Sequence, residues 1–152
     1  MFKIVCVGKI KEDFYTDAIK EYSKRILGYT KFSICEVKEV NTKNIEKNII
    51  DEGKNILEKI SEDEFVITLE IKGKMIDSVE LADLIRTKQT YGKSKITFVI
   101  GGSNGLSMDV VNRSDYHLSF SKFTFPHQLM RVVLIEQIYR ALTIINNKEY
   151  HK

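Results

Sequence analysis

ITFVIGGSNG, the run from Ile96 to Gly105, decides how this chain is read. Its first five residues are apolar or β-branched, too few for a helix, and glycines close them off, which is the pattern of a short buried strand. Gly101 and Gly102 then open a turn in which a ligand can approach the backbone closely. Successive amides in such a turn can hold an anion or a carboxylate, and the carboxyl edge of an open α/β sheet is where ligands collect. A tight turn before a short helix accounts for the same residues without a ligand. The run fits neither G-x-G-x-x-G nor G-x-x-x-x-G-K-[ST], so the generic dinucleotide and P-loop readings fall away.

Outward from this run, strands and helices alternate. Phe2 to Val7 is a first strand ending at Gly8, and Lys11 to Leu27 is a helix carrying Phe14, Ala18, Tyr22 and Ile26 at helical spacing, stopped by Gly28. Phe32 to Val40 is a second strand, Asn44 to Ile60 a solvent-facing helix, and Phe65 to Ile71 a third strand. Asp77 and Glu80 form a capping box for the next helix, which runs through Leu81, Leu84 and Ile85. After the glycine turn come a brief helix from Met108 to Arg113, a fifth strand from His117 to Phe120, and a long final helix opened by Pro126. The alternation predicts an α/β fold with a largely parallel sheet flanked by helices.

With 152 residues, no repeat, one proline and no linker-like stretch, the chain is expected to be a single domain spanning 1–152. A hydrophobic share of 43% and a charged share of 30% exclude disorder and collagen-like repeats. Glu136, Gln137 and Arg140 interrupt the longest apolar stretch, which argues against a membrane span. The N-terminus is too short in apolar residues for a signal peptide. Cys6 and Cys35 have no metal-ligand spacing and read as buried hydrophobes of a reduced, cytoplasmic protein. A net charge of +3 permits RNA as a partner without indicating it.

Three late features can carry chemistry: the glycine turn, the Ser/Phe-rich loop from Leu118 to Gln128, and Arg131. The phenylalanines of the loop can pack the core or face a flat ring. Arg131 falls in the apolar arc of the last helix with Leu134, Ile135, Ile138 and Leu142, where a charge needs a carboxylate, a ligand or a neighbouring subunit, unless it snorkels near the helix start. His127 can meet an anion or finish a cap, and Tyr150, His151 and Lys152 read by default as a frayed tail.

VITLEIKGK (Val66 to Lys74), FVIGGSNGL (Phe98 to Leu106), LSFSKFTFPHQLMRVVLIEQIYRA (Leu118 to Ala141), the closing YHK and the early VGKIKEDFYTDAIKEYSKRI (Val7 to Ile26) together resemble one family. It is the bacterial ribosomal large subunit methyltransferase H family, of the SPOUT class of S-adenosylmethionine-dependent RNA methyltransferases. The resemblance covers nearly the whole chain. It implies methylation of N3 of a pseudouridine in 23S rRNA, at the subunit-interface stem-loop of the assembled ribosome. It also implies a SPOUT-type α/β knot with a C-terminal trefoil, a homodimer, and neither membrane nor metal. Carried over residue by residue, cofactor contacts fall on Leu69, Gly101, Phe120, Ser121, Lys122, Phe123, Thr124 and Phe125; Leu69 by itself reads as plain core. RNA contact or proton handling falls on His127, Arg131, Tyr150 and His151, with the base unassigned. Phe123 stands where the family frequently has methionine. A non-catalytic nucleotide- or anion-binding module of flavodoxin-like shape is the alternative from another class; a SPOUT enzyme for another base, or a ribosome-bound scaffold, are the others.

Overall fold

The computed structural model describes residues 1–152. Five strands form one parallel sheet: β1 (Phe2–Val7), β2 (Phe32–Val37), β3 (Phe65–Met75), β4 (Ile96–Ile100) and β5 (Tyr116–Ser119). Their spatial order is β2-β1-β4-β3-β5. The helices are α1 (Asp13–Leu27), α2 (Ile45–Leu57), α3 (Ser78–Thr90), α4 (Met108–Arg113) and α5 (His127–Ile145). None is long and apolar enough to cross a membrane.

The period-two pattern of the strands sorts the core into two layers. Phe2, Ile4, Cys6, Ile96, Phe98 and Ile100 face the same way as Phe65 and Ile67, and α1, α3 and α5 cover them with Ile26, Leu81, Ile85, Leu134, Ile135 and Ile138. Val5, Val7, Val66 and Val99 point to the opposite face, where α2 and α4 supply Ile56 and Val110. Every residue of β4 is buried, as the central strand of a parallel sheet requires.

The expected elements are present, with informative differences at their ends. The second strand stops at Val37 rather than Val40, because the Val40 amide donates to the Glu52 carboxylate (2.9 Å) instead of to a neighbouring strand. The capping box forms as expected: Asp77 Oδ1 accepts from the Glu80 amide (2.8 Å) and Glu80 Oε2 from the Asp77 amide (2.7 Å). Phe14, expected on the buried stripe of α1, is exposed. α2 presents a largely polar inner face, since Asn48, Glu52 and Gly53 are buried beside Ile56. Gly53 is required there, because a Cβ would lie 2.2 Å from Ser107 Oγ.

The largest departure is β3, which continues to Met75. Leu69 and Lys74 both pair with Leu118 of β5, so residues 70–73 loop out of the ladder. Gly73 makes this possible: a Cβ would stand 2.8 Å from the His117 carbonyl oxygen. Ser119 Oγ ties the bulge down by donating to the Ile71 carbonyl at 3.0 Å.

At the sheet's amino edge the buried Glu64 carboxylate accepts from Lys3 Nζ (2.8 Å) and Thr97 Oγ1 (2.5 Å). Burial would raise its pKa, but the Lys3 and Thr97 hydrogen bonds outweigh that and hold the carboxyl below its ordinary value. A lowered folded-state pKa stabilises fully above the unfolded value of about 4.3 and is lost as pH falls through the folded one. Glu64→Gln is therefore expected to cost about 2 kcal/mol at pH 7 and to flatten the acid side of the stability profile. Urea melts between pH 3 and 7 measure both.

Candidate functional site

At the carboxyl ends of β3, β4 and β5 lies a cavity of about 390 Å³, within the range of small-molecule sites. Four segments supply most of its wall, with Val111 of α4 beside them. The β3 bulge gives Leu69, Glu70, Ile71 and Lys72; the glycine turn after β4 gives Gly101, Gly102, Ser103 and Gly105; the loop after β5 gives Phe120, Ser121, Phe123, Thr124 and Phe125; and the first turn of α5 gives His127 and Met130. A bulge beside a site is a common device for aiming side chains out of a ladder.

Local chemistry holds each segment. Gly105 takes φ +87° and its amide donates to the Gly102 carbonyl at 3.1 Å, closing the glycine turn. A Cβ on Gly101 would meet Leu106 at 2.9 Å and the Gly105 backbone at 3.1 Å. In the aromatic loop, Ser121 Oγ accepts from the Phe123 amide (3.0 Å). Glu70 accepts from Thr68 Oγ1 (2.5 Å) and pairs with Nδ1 of His117.

The cavity gathers Leu69, Gly101, Phe120, Ser121, Phe123, Thr124 and Phe125, together with His127. Lys122, in the same loop, is exposed and does not line it. Arg131 is 2% exposed and faces the other way, donating to Glu36 Oε2 (2.8 Å) and to the Gly8 and Val7 carbonyls (3.2 and 3.4 Å). The carboxylate among its possible partners is thus the one found, and snorkelling is excluded. This pair ties α5 to the ends of β1 and β2.

Tyr150 and His151 lie elsewhere, and the tail is not frayed. Asn147, at φ 53°, turns the chain back at the end of α5, and the Lys148 amide donates to the Thr143 carbonyl at 2.9 Å. Tyr150 then donates to Glu136 Oε1 (3.0 Å) and packs edge-on against Tyr139 at 4.7 Å. His151 Nδ1 sits 3.2 Å from Arg140 Nη1. Burial, and then the Glu136 hydrogen bond, push the Tyr150 phenol up to about 12, so at neutral pH it is a proton donor and not a base. Arg140 lies thirteen residues beyond His127 in sequence, about 20 Å along the helix.

The family model described as "Predicted SPOUT methyltransferase" matches residues 1–151. The chain belongs to the SPOUT methyltransferase family. A relative in Methanococcus maripaludis (strain C5 / ATCC BAA-1333), which carries the provisional name ribosomal RNA large subunit methyltransferase H, is 54% identical over 155 residues, covering 98% of each chain. SPOUT methyltransferases use S-adenosyl-L-methionine, which makes this protein a methyltransferase dependent on that cofactor.

The cavity also contains Glu70, Ile71, Lys72 and Met130, which sequence reasoning passed over. The one signal for the first three was Gly73 inside a strand pattern, which marks a bulge or a close backbone approach.

Gly101→Ala is expected to displace the turn, since its Cβ would press on backbone, and to weaken S-adenosylmethionine binding about tenfold, or roughly 1.4 kcal/mol, in titration calorimetry. Arg131→Lys retains the charge but loses the planar fork, and is expected to lower stability by about 2 kcal/mol in urea unfolding.

Proposed function

We propose that this enzyme methylates N3 of a pseudouridine in 23S rRNA, acting as a homodimer in the cytoplasm on the assembled ribosome. The observation that carries this reading is the cavity, where the glycine turn and the aromatic loop meet in a SPOUT chain 54% identical to a relative named for the large-subunit rRNA. Phe120, Phe125 and Leu69 offer apolar walls for a flat base, and the Gly101–Gly102 turn offers backbone amides for a carboxylate. These residues suit S-adenosylmethionine, which supplies an electrophilic methyl on a sulfonium when bound. Ser121, Phe123 and Thr124 complete the loop around it, while Lys122 is turned outward.

The protein's own part is positioning and proton removal. Nucleophilic attack by N3 requires loss of the N3 proton, and His127 is the titratable imidazole on the cavity wall. Arg131 acts through the frame, holding the first turns of α5 against β1 and β2.

Two observations support a dimer. Ile71 and Phe123 line the cavity and yet are 55% and 78% exposed, apolar surface that a second chain can cover. Tyr150 and His151 sit well along α5 from the cavity, so the tail that completes a given site is the partner's. A second copy also extends the basic surface available for rRNA beyond a net charge of +3. The C-terminal trefoil knot belongs to the same reading: β5 pairs outside β3, while the helix that follows returns to pack on both α1 and α3.

Ribosomes lacking the modification, incubated with the protein and radiolabelled S-adenosylmethionine, are expected to carry label on N3 of the pseudouridine, located by nuclease digestion and mass spectrometry. Intact cofactor binding with no label there overturns the substrate assignment. Removal of residues Tyr150 to Lys152 is expected to cut turnover at least tenfold while leaving cofactor affinity unchanged; full turnover would show that the tail takes no part.

A further inference from the structure

Glu70 is the one carboxylate on the cavity wall. It opens the β3 bulge directly after Leu69, and it lies two residues beyond Thr68, on the same face of the strand. Thr68 is fully buried and donates its hydroxyl to Glu70 Oε2 at 2.5 Å. His117, the residue opposite Thr68 across the β3–β5 ladder, brings Nδ1 to that same oxygen and lies 3.3 Å from Thr68 Oγ1. Both contacts fall on Oε2, so Oε1 keeps its full capacity to accept.

A free glutamate side chain loses rotamer entropy when a ligand orders it. Here the fold has ordered it already: a buried hydroxyl and an imidazole pin one oxygen, and only 22% of the side chain is exposed. An acceptor prepared in this way calls for a ligand that donates. A ribose carries hydroxyl donors beside its base, and a carboxylate is a common partner for them in nucleotide sites. Position favours the ribose over the cofactor's ammonium. Glu70 adjoins Leu69, one of the apolar walls offered to the base. The ammonium shares a carbon with the carboxylate, whose backbone amides lie in the turn after β4.

We infer that Glu70 is a ribose-recognition residue for S-adenosylmethionine, its free Oε1 accepting a ribose hydroxyl, with Thr68 and His117 as the positioning residues that hold the carboxylate for it. This rests on the cavity being the cofactor's site, as proposed above. The arrangement confers specificity as well as affinity. A ligand without the hydroxyl would cover Oε1 and give it no donor, and a site built to pair with a hydroxyl rejects such an analogue.

Titration calorimetry with S-adenosylhomocysteine, the stable demethylated cofactor, and with its 2′-deoxy and 3′-deoxy analogues reads the contact without turnover. The protein is expected to bind the ribose form about 10- to 100-fold more tightly than at least one deoxy form. In Glu70→Ala that preference should collapse: affinity for the ribose form falls by the same factor, while affinity for the deoxy form barely changes. His117→Phe removes the imidazole and leaves Glu70 in place. It should reduce the preference in part, which a general loss of structure would not do, since that weakens all three ligands alike.

Equal affinity of the unaltered protein for all three ligands overturns the proposal, as does a Glu70→Ala variant that keeps the preference. A full preference in His117→Phe overturns the positioning role of His117. If Glu70→Ala does not fold, Glu70→Gln decides, because a neutral amide oxygen is the weaker acceptor; its preference should shrink severalfold, and an undiminished one counts against Glu70. An affinity loss in Gly101→Ala with none in Glu70→Ala leaves the cavity as the cofactor's site and overturns the role of Glu70 alone. No loss in either variant overturns both.

Discussion

Leu118 lies opposite both Leu69 and Lys74, and the residues between those two must leave the sheet. Much of the site follows from that constraint. The detour sends Glu70, Ile71 and Lys72 to the cavity wall. The hydroxyl of Ser119 holds it in place, and the missing side chain of Gly73 lets the detour rejoin β5 at van der Waals range. A straight β3 would pair residue for residue with β5 and fill the space now left for a ligand. The cavity is thus a property of one strand pair's register as much as of its lining side chains.

Charge is buried at three places, and each does a different physical job. Lys3, Glu64 and Thr97 pin the amino edge of the central strands. Arg131 and Glu36, together with the carbonyls of Val7 and Gly8, pin the start of α5 to the opposite edge of the sheet. Arg131 is enclosed while Glu36 stays partly exposed; removing the carboxylate would leave a buried charge unpaired, which is costly, so the pair specifies where α5 begins relative to the strands. Glu52 differs from both, since it is held by one amide only and keeps an oxygen free.

Much of the architecture was legible in the sequence because local pattern and tertiary environment agree. β4 is short, apolar and glycine-bounded, and it is the fully buried centre of the sheet. Asp77 and Glu80 cap α3 as their spacing demands. The extension of β3 was not legible, since Lys72, Gly73 and Lys74 break the apolar pattern and their pairing depends on a strand more than forty residues away. The partner of Arg131 could be named only as a class, because Glu36 is separated from it by 95 positions. Polar residues on the inner face of α2 gave no signal either: Asn48 and Glu52 sit at helical spacing but look like solvent-facing positions until Thr42 and Val40 close over them. The aromatic loop stands out by its unusual crowding, yet only the folded chain separates Lys122, turned outward, from its neighbours on the wall.

The place of β4 in the sheet has a consequence for how the molecule is made. β1 and β3 meet only through β4, which the ribosome delivers after the first ninety-five residues. Until then one edge of β1 and the whole of β3 have no neighbour to bond, and apolar residues meant for the centre stand open to solvent. Synthesis at about 5–20 residues per second keeps that half-sheet waiting for several seconds, and the pairing that ends the wait joins segments far apart in the chain, the slow kind of contact to form. A nascent chain stalled before Ile96 is therefore an aggregation-prone client for chaperones, and the few residues that complete the sheet also lead into the glycine turn of the cavity. Folding and the capacity to bind cofactor should thus be acquired late, and close together in time.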